Sequence, residues 1–199
     1  MSGQTKEQKY EALAKEILTC RACQADFGFE PHPIIFGSPK AKIMQIGQAP
    51  SLLVQESGRP FTDASGDKLK KEWYQITDEA FYNPENFYIG MMAHCYPGKK
   101  AGGRGDNPPP KRCAKLWLEN ELPLVENELY IIIGSYAAKY FFPKEKLTDL
   151  IFQDKYLNGK LTYVIPHPSP LNFRFFAKHP EFQATRIKEI RQKIKEVLR

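Results

Sequence analysis

The chain has 199 residues and a formal net charge of +6, and 42% of its residues are hydrophobic and 26% charged. These values are ordinary for a globular domain with a substantial core, and the excess of basic residues permits a phosphate-rich partner. The sequence has no run of about 18 apolar residues that could span a membrane, and its first residues contain no apolar signal core. We therefore expect a cytoplasmic protein that does not bind a membrane.

Hydrophobic periodicity predicts an alternation of helices and strands along the chain. Apolar runs predict strands at Ile43–Ile46, Phe87–Met92, Leu129–Ile133 and Leu161–Ile165, with a further short candidate at Ile34–Phe36. Helical spacing predicts helices over Lys6–Leu18, from a Ser65 cap through Leu69 and Trp73 to Ala80, over Lys111–Leu122 and Tyr136–Phe142, and from Ile187 to Val197.

The alternation predicts an α/β fold, a three-layer sandwich with a central, mostly parallel four-stranded sheet flanked by helices. We find no repeat and no linker, so residues 1–199 are expected to form a single domain. Loops that follow parallel strands gather along one edge of the sheet, where α/β proteins place their ligands. The loops after Ile46, Met92 and Ile165 should therefore face one another.

The first of these loops, residues 47–51, is the best candidate ligand loop. A glycine at the strand end, Gly47, allows a sharp turn and close backbone approach, and Pro50 fixes the exit of the loop. The following segment, Gly58-Arg59-Pro60-Phe61, places an aromatic residue where loops usually lack one. Together they indicate a slot for a flat ring, although an ordinary strand–helix connection with a core Phe61 is the alternative.

The other two loops supply positive charge and an imidazole. The Gly- and Pro-rich stretch 96–110 contains Lys99, Lys100 and Arg104, which could contact phosphates or simply form a solvated loop. The last strand leads into His167, a candidate catalytic residue, with a lone loop histidine as the alternative.

Four cysteines occur in the chain: a C-x-x-C pair, Cys20 and Cys23, and two remote residues, Cys95 and Cys113. In a cytoplasmic protein this number indicates metal or redox chemistry rather than a disulfide framework. Four thiols can hold one tetrahedral metal ion or an iron–sulfur cluster, and the spacing alone does not separate zinc from a cluster. Four unrelated buried thiols are the third possibility.

Taken together, the motifs resemble the uracil-DNA glycosylase superfamily, from about Cys20 to Leu198. The resemblance rests on the order, spacing and position after strands of three motifs: Gly47-Gln48-Ala49-Pro50, Gly58-Arg59-Pro60-Phe61 and His167-Pro168-Ser169-Pro170. The cysteine layout resembles the thermostable bacterial and archaeal branch. That resemblance implies a [4Fe–4S] cluster on Cys20, Cys23, Cys95 and Cys113, with zinc as the alternative.

The resemblance also implies roles for individual residues. Gln48 would be the polar catalytic side chain of the first loop, beside a base-binding backbone at Gly47 and Ala49. Phe61 would stack on a base extruded from DNA, and His167 would stabilise negative charge on the departing base.

Contacts to DNA outside the base pocket are implied in the same way. Leu171, which follows the third motif, would be the wedge that fills the vacated stack. The residues expected to contact the DNA backbone are Lys99, Lys100, Arg104 and Ser169.

Two positions depart from the family pattern. The thermostable branch usually carries Glu where this chain has Gln48, and another relative carries Asp where it has Ala49, so the loop has no carboxylate. Met91 stands where the family has an Asn that reads the uracil edge, and a thioether cannot make those paired contacts. Asp63 and Glu56 are near enough in sequence to supply a carboxylate.

The predicted function is that of a monomeric DNA glycosylase in base-excision repair. It would hydrolyse the N-glycosidic bond of a flipped-out deaminated base, uracil or a related one, in damaged DNA. The alternative is a catalytically impaired iron–sulfur DNA-binding protein of the same fold.

Overall fold

The centre of the protein is one five-stranded sheet. The computed structural model describes residues 3–102 and 105–199, and Arg104 lies outside these residues. The strands are β1 Ile43–Gly47, β2 Phe87–Met91, β3 Leu129–Ile133, β4 Lys155–Leu157 and β5 Lys160–Ile165. Their order in the sheet is β2-β1-β3-β5-β4, with β4 antiparallel to β5 and the other pairs parallel.

Helices connect the strands and flank the sheet. They are α1 Lys6–Leu18, α2 Gln24–Phe27, α3 Leu52–Ser57, α4 Ala64–Asp67, α5 Asp78–Tyr82, α6 Lys111–Cys113, α7 Glu119–Glu121, α8 Gly134–Phe141, α9 Leu147–Leu150, α10 Phe173–Lys178 and α11 Ile187–Val197. Three π-helical segments extend their neighbours, Lys68–Tyr74 after α4, Ala114–Leu118 between α6 and α7, and Phe182–Arg186 before α11, and a short 3₁₀ turn covers Pro170–Asn172.

The prediction of four strands was wrong, because β4 and β5 form a tight hairpin at one edge. The turn is Asn158-Gly159, with φ angles of 51° and 75°, and Asn-Gly is the pair that favours such two-residue turns. The first strand of the hairpin has only three residues, and one of them, Tyr156, is 66% exposed. It therefore lacks the apolar run by which the other strands could be identified.

The two faces of the sheet carry separate cores. Alternate strand residues such as Ile43, Ile131 and Ile165 pack on one side against the helix containing Trp73 and against α11. The intervening residues, such as Met44 and Val164, pack on the other side against the segment around Leu118 and against α8. The expected layering of helices on both faces is thus confirmed.

The parallel strands end level with one another, and this positions the site. Gly47 is opposite Met91 on β2, and Ile133 is opposite Ile165 on β5. The loops that follow these strands therefore leave from the same edge, as the alternation predicted.

The helix predicted from Ser65 to Ala80 differs from the observed one at both ends. Its N-cap is Asp63, whose carboxylate accepts the backbone N–H of Gly66 at 3.0 Å. It ends at Tyr74, because Gln75 adopts a left-handed conformation with φ 52°.

The short strand predicted at Ile34–Phe36 does not form. The segment instead runs in extended form along the outer side of β2, where Ile89 donates its N–H to the Phe36 carbonyl at 2.9 Å. Throughout the part of the chain that the structure describes, no helix combines the length and apolar character needed to cross a bilayer.

Candidate active site

A cleft of about 480 Å³ opens at the carboxyl edge of the sheet. It is lined by residues from all three predicted loops and by others that follow β3 and α3. The predicted site residues that line it are Gly47, Gln48, Ala49, Phe61, Met91, Lys100, His167, Ser169 and Leu171. The sequence thus identified side chains that the fold brings together, although their chemical roles remain predictions.

The first loop is fastened to the continuation of β2. Beyond that strand, Met92 donates its N–H to the Gly47 carbonyl at 3.0 Å, and Ala93 donates to the Gln48 carbonyl at 3.1 Å. On the other side, Ser51 caps α3 by accepting the N–H of Val54 at 3.3 Å. Gln48 is therefore held from both sides at the mouth of the cleft.

Phe61 has an uncommon backbone for an aromatic residue, with φ 57°. Such a conformation costs on the order of 1–3 kcal/mol and persists only where the surroundings enforce it. Close packing of the backbone is part of that enforcement, because a Cβ placed on Gly66 would lie 1.9 Å from the Phe61 carbonyl oxygen. The Phe61 ring packs edge-on against Phe81, with centroids 5.9 Å apart.

His167 is held by its own loop in a defined protonation state. The backbone N–H of Ser169 donates to His167 Nδ1 at 3.2 Å, so in the neutral ring the proton resides on Nε2. Asn172 fixes the backbone by donating to the His167 carbonyl at 2.8 Å. Burial lowers the pKa of His167, although the charge of Asp63 opposes this effect. The ring is therefore a neutral donor at pH 7.

Of the two carboxylates considered from the sequence, only Asp63 lines the cleft. One of its oxygens caps α4, and its charge is the one that acts on His167. Glu56, on α3, does not line the cleft. Met91 is 4% exposed and packs with Ile34 and Val54, so its place in the cleft wall is apolar.

Three cleft residues after β3 were not identified from the sequence: Gly134, Ser135 and Tyr136. A glycine suits the first position because its φ is 83°, a conformation that other residues rarely adopt. The signal was available in the sequence, since Gly134 comes directly after a buried apolar run, as Gly47 comes after Ile43–Ile46. Tyr136 is 42% exposed and places an aromatic ring at the cleft.

The basic loop is only partly in the cleft. Lys100 lines it. Lys99 is exposed, and its backbone pairs with that of Asp106 in an isolated antiparallel β-bridge. Asn107 closes this loop by donating to the carbonyls of Pro97 and Lys99 at 3.1 and 3.2 Å. Leu171, the predicted wedge, is 82% exposed at the rim of the cleft.

The four cysteines line a second, apolar pocket together with Ile17 and Trp117. Burial, together with a smaller contribution from the nearby thiols, raises the pKa of Cys95 and of Cys113 to about 12. Within residues 3–102 and 105–199, no three or more His, Cys, Asp or Glu side chains are grouped as a site for a metal ion. Four thiols around one apolar cavity nevertheless fit, in donor chemistry, a group that takes thiolate ligands.

The pocket and the cleft are joined by the stretch after β2. Its backbone donates to the first loop at Met92 and Ala93, and the next residue, His94, donates its N–H to Cys113 Sγ at 3.4 Å. The His94 ring is buried and faces a carboxylate oxygen of Glu121 at 3.2 Å.

The fold and the cleft define an α/β protein with its ligand site at the carboxyl ends of parallel strands. Its sequence matches the profile of the Uracil DNA glycosylase superfamily over residues 34–191. The chain belongs to that superfamily, which confirms the resemblance inferred from the motifs.

Three relatives, each described as a type-4 uracil-DNA glycosylase, are similar at low identity. The protein of Sulfurisphaera tokodaii is 24% identical over 135 residues, 67% of this chain and 58% of that protein. The protein of Archaeoglobus fulgidus is 25% identical over 147 residues, 73% of this chain and 68% of its own length. The protein of Thermotoga maritima is 21% identical over 170 residues, 84% and 85% of the two chains. This chain therefore matches less than two thirds of the first relative's length.

Proposed function

We propose that the protein is a DNA glycosylase that hydrolyses the N-glycosidic bond of a flipped-out deaminated base, uracil or a related one. The observation that carries the proposal is His167, a neutral Nε2–H donor held in a cleft that it shares with Phe61 and Asp63. Membership of the superfamily and the names of the relatives support the reaction class.

His167 would act on the leaving base. When the bond between C1′ and the base nitrogen breaks, its electron pair goes to the base and negative charge develops on a base oxygen. A neutral imidazole that donates its Nε2–H stabilises this charge without giving up the proton, as an oxyanion donor does. The backbone N–H of Ser169 keeps the proton on the correct nitrogen.

Asp63 would supply the carboxylate that the first loop lacks. A water molecule must add to C1′ and lose a proton, and the sugar carries positive charge in the transition state. A carboxylate near this position stabilises the cation and accepts the proton, whereas the amide of Gln48 can only orient the water. Asp63 is in the cleft and has one oxygen fixed by the α4 cap.

Phe61 and Met91 would shape the base pocket. The Phe61 ring offers a stacking surface for the extruded base. Met91 adds apolar surface but no donor–acceptor pair. Discrimination among deaminated bases would then depend on the backbone of Gly47 and Ala49 and on Gln48.

The DNA itself would contact the rim of the cleft. Leu171 is the proposed wedge, because its apolar side chain is 82% exposed at the rim of the cleft. Lys99, Lys100 and Ser169 are the proposed phosphate contacts within the described residues.

For the cysteine pocket we propose a [4Fe–4S] cluster held by Cys20, Cys23, Cys95 and Cys113, with zinc as the alternative. The convergence of all four thiols on one pocket supports it. When bound, such a group would supply thiolate–metal bonds that tie the chain after α1 to the stretch after β2 and to α6. It takes no part in the cleavage proposed above.

A second candidate function is a DNA-binding protein of this superfamily without turnover. Gln48 and Met91, which lack the carboxylate and the amide expected of the family, favour it. The test is incubation of the full-length protein with single- and double-stranded oligonucleotides carrying uracil, hypoxanthine or xanthine, followed by cleavage of abasic sites. Strand cleavage at one of these bases supports the glycosylase. Binding without cleavage at any of them supports the alternative.

A further inference from the structure

We propose that Tyr82, oriented by Lys70, is a positioning residue that holds Phe61 in its left-handed conformation and so fixes the ring in the cleft. The inference rests on the proposed function, in which Phe61 stacks on the extruded base. It assigns a role to two residues that do not line the cleft.

The Tyr82 hydroxyl is within hydrogen-bond distance of two successive carbonyl oxygens in the Phe61 loop. It lies 2.9 Å from the Pro60 oxygen and 3.1 Å from the Phe61 oxygen. These carbonyls flank the φ of Phe61, which is 57°. A single hydroxyl proton shared between them therefore fastens the backbone at the position of the strain.

Lys70 determines which way the hydroxyl points. Its Nζ donates to the Tyr82 oxygen at 3.2 Å and is paired with Asp78 at 2.9 Å. Because an ammonium group can only donate, the hydroxyl oxygen must accept this bond, which leaves its own proton for the carbonyls. The Lys70 side chain is 4% exposed, and a buried ammonium is retained only where such partners satisfy it.

Two further contacts limit the movement of Tyr82 and of the Phe61 loop. The guanidinium of Arg59 lies 3.7 Å from the centre of the Tyr82 ring, which fits a cation–π contact. The Phe61 backbone also packs against Gly66, with no room for a Cβ on that glycine. The loop is thus held before any base arrives, and this preorganisation reduces the cost of stacking.

Removal of the hydroxyl should therefore affect the extruded base more than overall DNA affinity. In the variant Tyr82→Phe, we expect the single-turnover rate on uracil-containing duplex to fall about tenfold, the equivalent of one ordinary hydrogen bond. DNA binding should be unchanged. The matched control is Tyr130→Phe, which loses a hydroxyl that accepts from Asn158 on the opposite face of the sheet.

A double-mutant cycle separates positioning from general stability. In a Phe61→Ala background the ring is absent, so Tyr82→Phe should have no further effect on the rate. An equal loss in both backgrounds would overturn the proposal, since it would mean that the hydroxyl acts on the fold and not through Phe61.

Hydrogen exchange tests the same contact without requiring activity. The backbone amides of residues 61–64 should exchange faster in Tyr82→Phe than in the wild type or in Tyr130→Phe. Lys70→Met, which removes the orienting donor, should have the same effect and serves if Tyr82→Phe does not fold. If the wild type removes no base, the proposed function fails, and the exchange alone decides this inference. Unaltered exchange in both variants would overturn it.

Discussion

The cleft and the cysteine pocket lie on either side of the same stretch of chain, and they are built differently. The cleft is open and lined by both polar and apolar residues, and it holds its key groups by backbone hydrogen bonds, as at His167, and by a strained loop at Phe61. The cysteine pocket is apolar, and its thiols have raised pKa values. The polypeptide itself thus holds the groups of the cleft in place, whereas the metal group that we propose for the pocket would add bonds between its thiols.

The largest expected effect is the loss of the metal group proposed for the cysteine pocket, with the cleft left intact. The purified protein should be brown and absorb near 400 nm, as iron–sulfur clusters generally do. Cys113→Ser should abolish this absorbance and lower the thermal midpoint, because a thiolate ligand is lost. His167→Ala is the control and should keep the colour. A colourless wild type with stoichiometric zinc after anaerobic purification would support the alternative metal.

The next effect concerns Asp63, the carboxylate that we propose acts in the reaction. Asp63→Asn should lower turnover by about 10² to 10⁴, the usual range for a group that accepts a proton in the transition state. Gln48→Glu should restore part of the loss, because it places a carboxylate in the neighbouring loop. Turnover of Asp63→Asn equal to that of the wild type would remove Asp63 from the mechanism.

His167→Ala should lower turnover by about 10² to 10³, as the loss of one oxyanion donor does. DNA affinity should barely change, because the donor acts only as charge develops on the base. The rate and the binding constant are to be measured on the same oligonucleotide. A change in affinity with an unaltered rate would instead assign His167 to DNA binding.

The pH dependence of the rate tests whether the neutral form of His167 is the active one. Burial lowers the pKa of His167 from its ordinary value of 6.5, so the neutral ring predominates at pH 7 and is lost only as the pH falls below 6.5. If the neutral ring is the active form, the rate should be level from pH 7 to 6.5 and fall about tenfold per unit below its pKa. A rate that rises as the pH falls through this range would contradict the neutral donor.

The smallest effect is at the rim. If Lys99 and Lys100 contact phosphates, changing each to Ala should weaken binding to all DNA sequences alike. The slope of log affinity against log salt should become shallower by about 0.7 to 0.9 per contact. An unchanged slope would mean that these lysines do not contact phosphates and that the loop is simply solvated.

Much of this arrangement could be predicted because strand ends and loops obey simple rules. The run Leu129–Ile133 was predicted with its observed bounds, since a strand covered on both faces is continuously apolar. The convergence of Gln48 and His167 followed from parallel alternation. The edge strand before Asn158 was missed because three residues carry too little pattern.

The local devices of the site could not be predicted in the same way. The φ of Phe61 depends on contacts with Gly66 and Tyr82, which are close in space only after folding. Asp63 caps the helix, but Asp and Ser are equally suitable N-cap residues, so the sequence did not decide between Asp63 and Ser65. That Cys95 and Cys20 line the same pocket could be expected only from the family resemblance.

The two margins of the sheet have a consequence for association between copies of the chain. The outer side of β2 is occupied by the chain's own segment at Ile34 and Phe36, which exchanges backbone hydrogen bonds with His94 and Ile89 at 2.9 Å. The opposite margin is the three-residue β4. An occupied margin and a very short one offer little template for strand addition by another chain, which is how natural sheets avoid edge-to-edge aggregation.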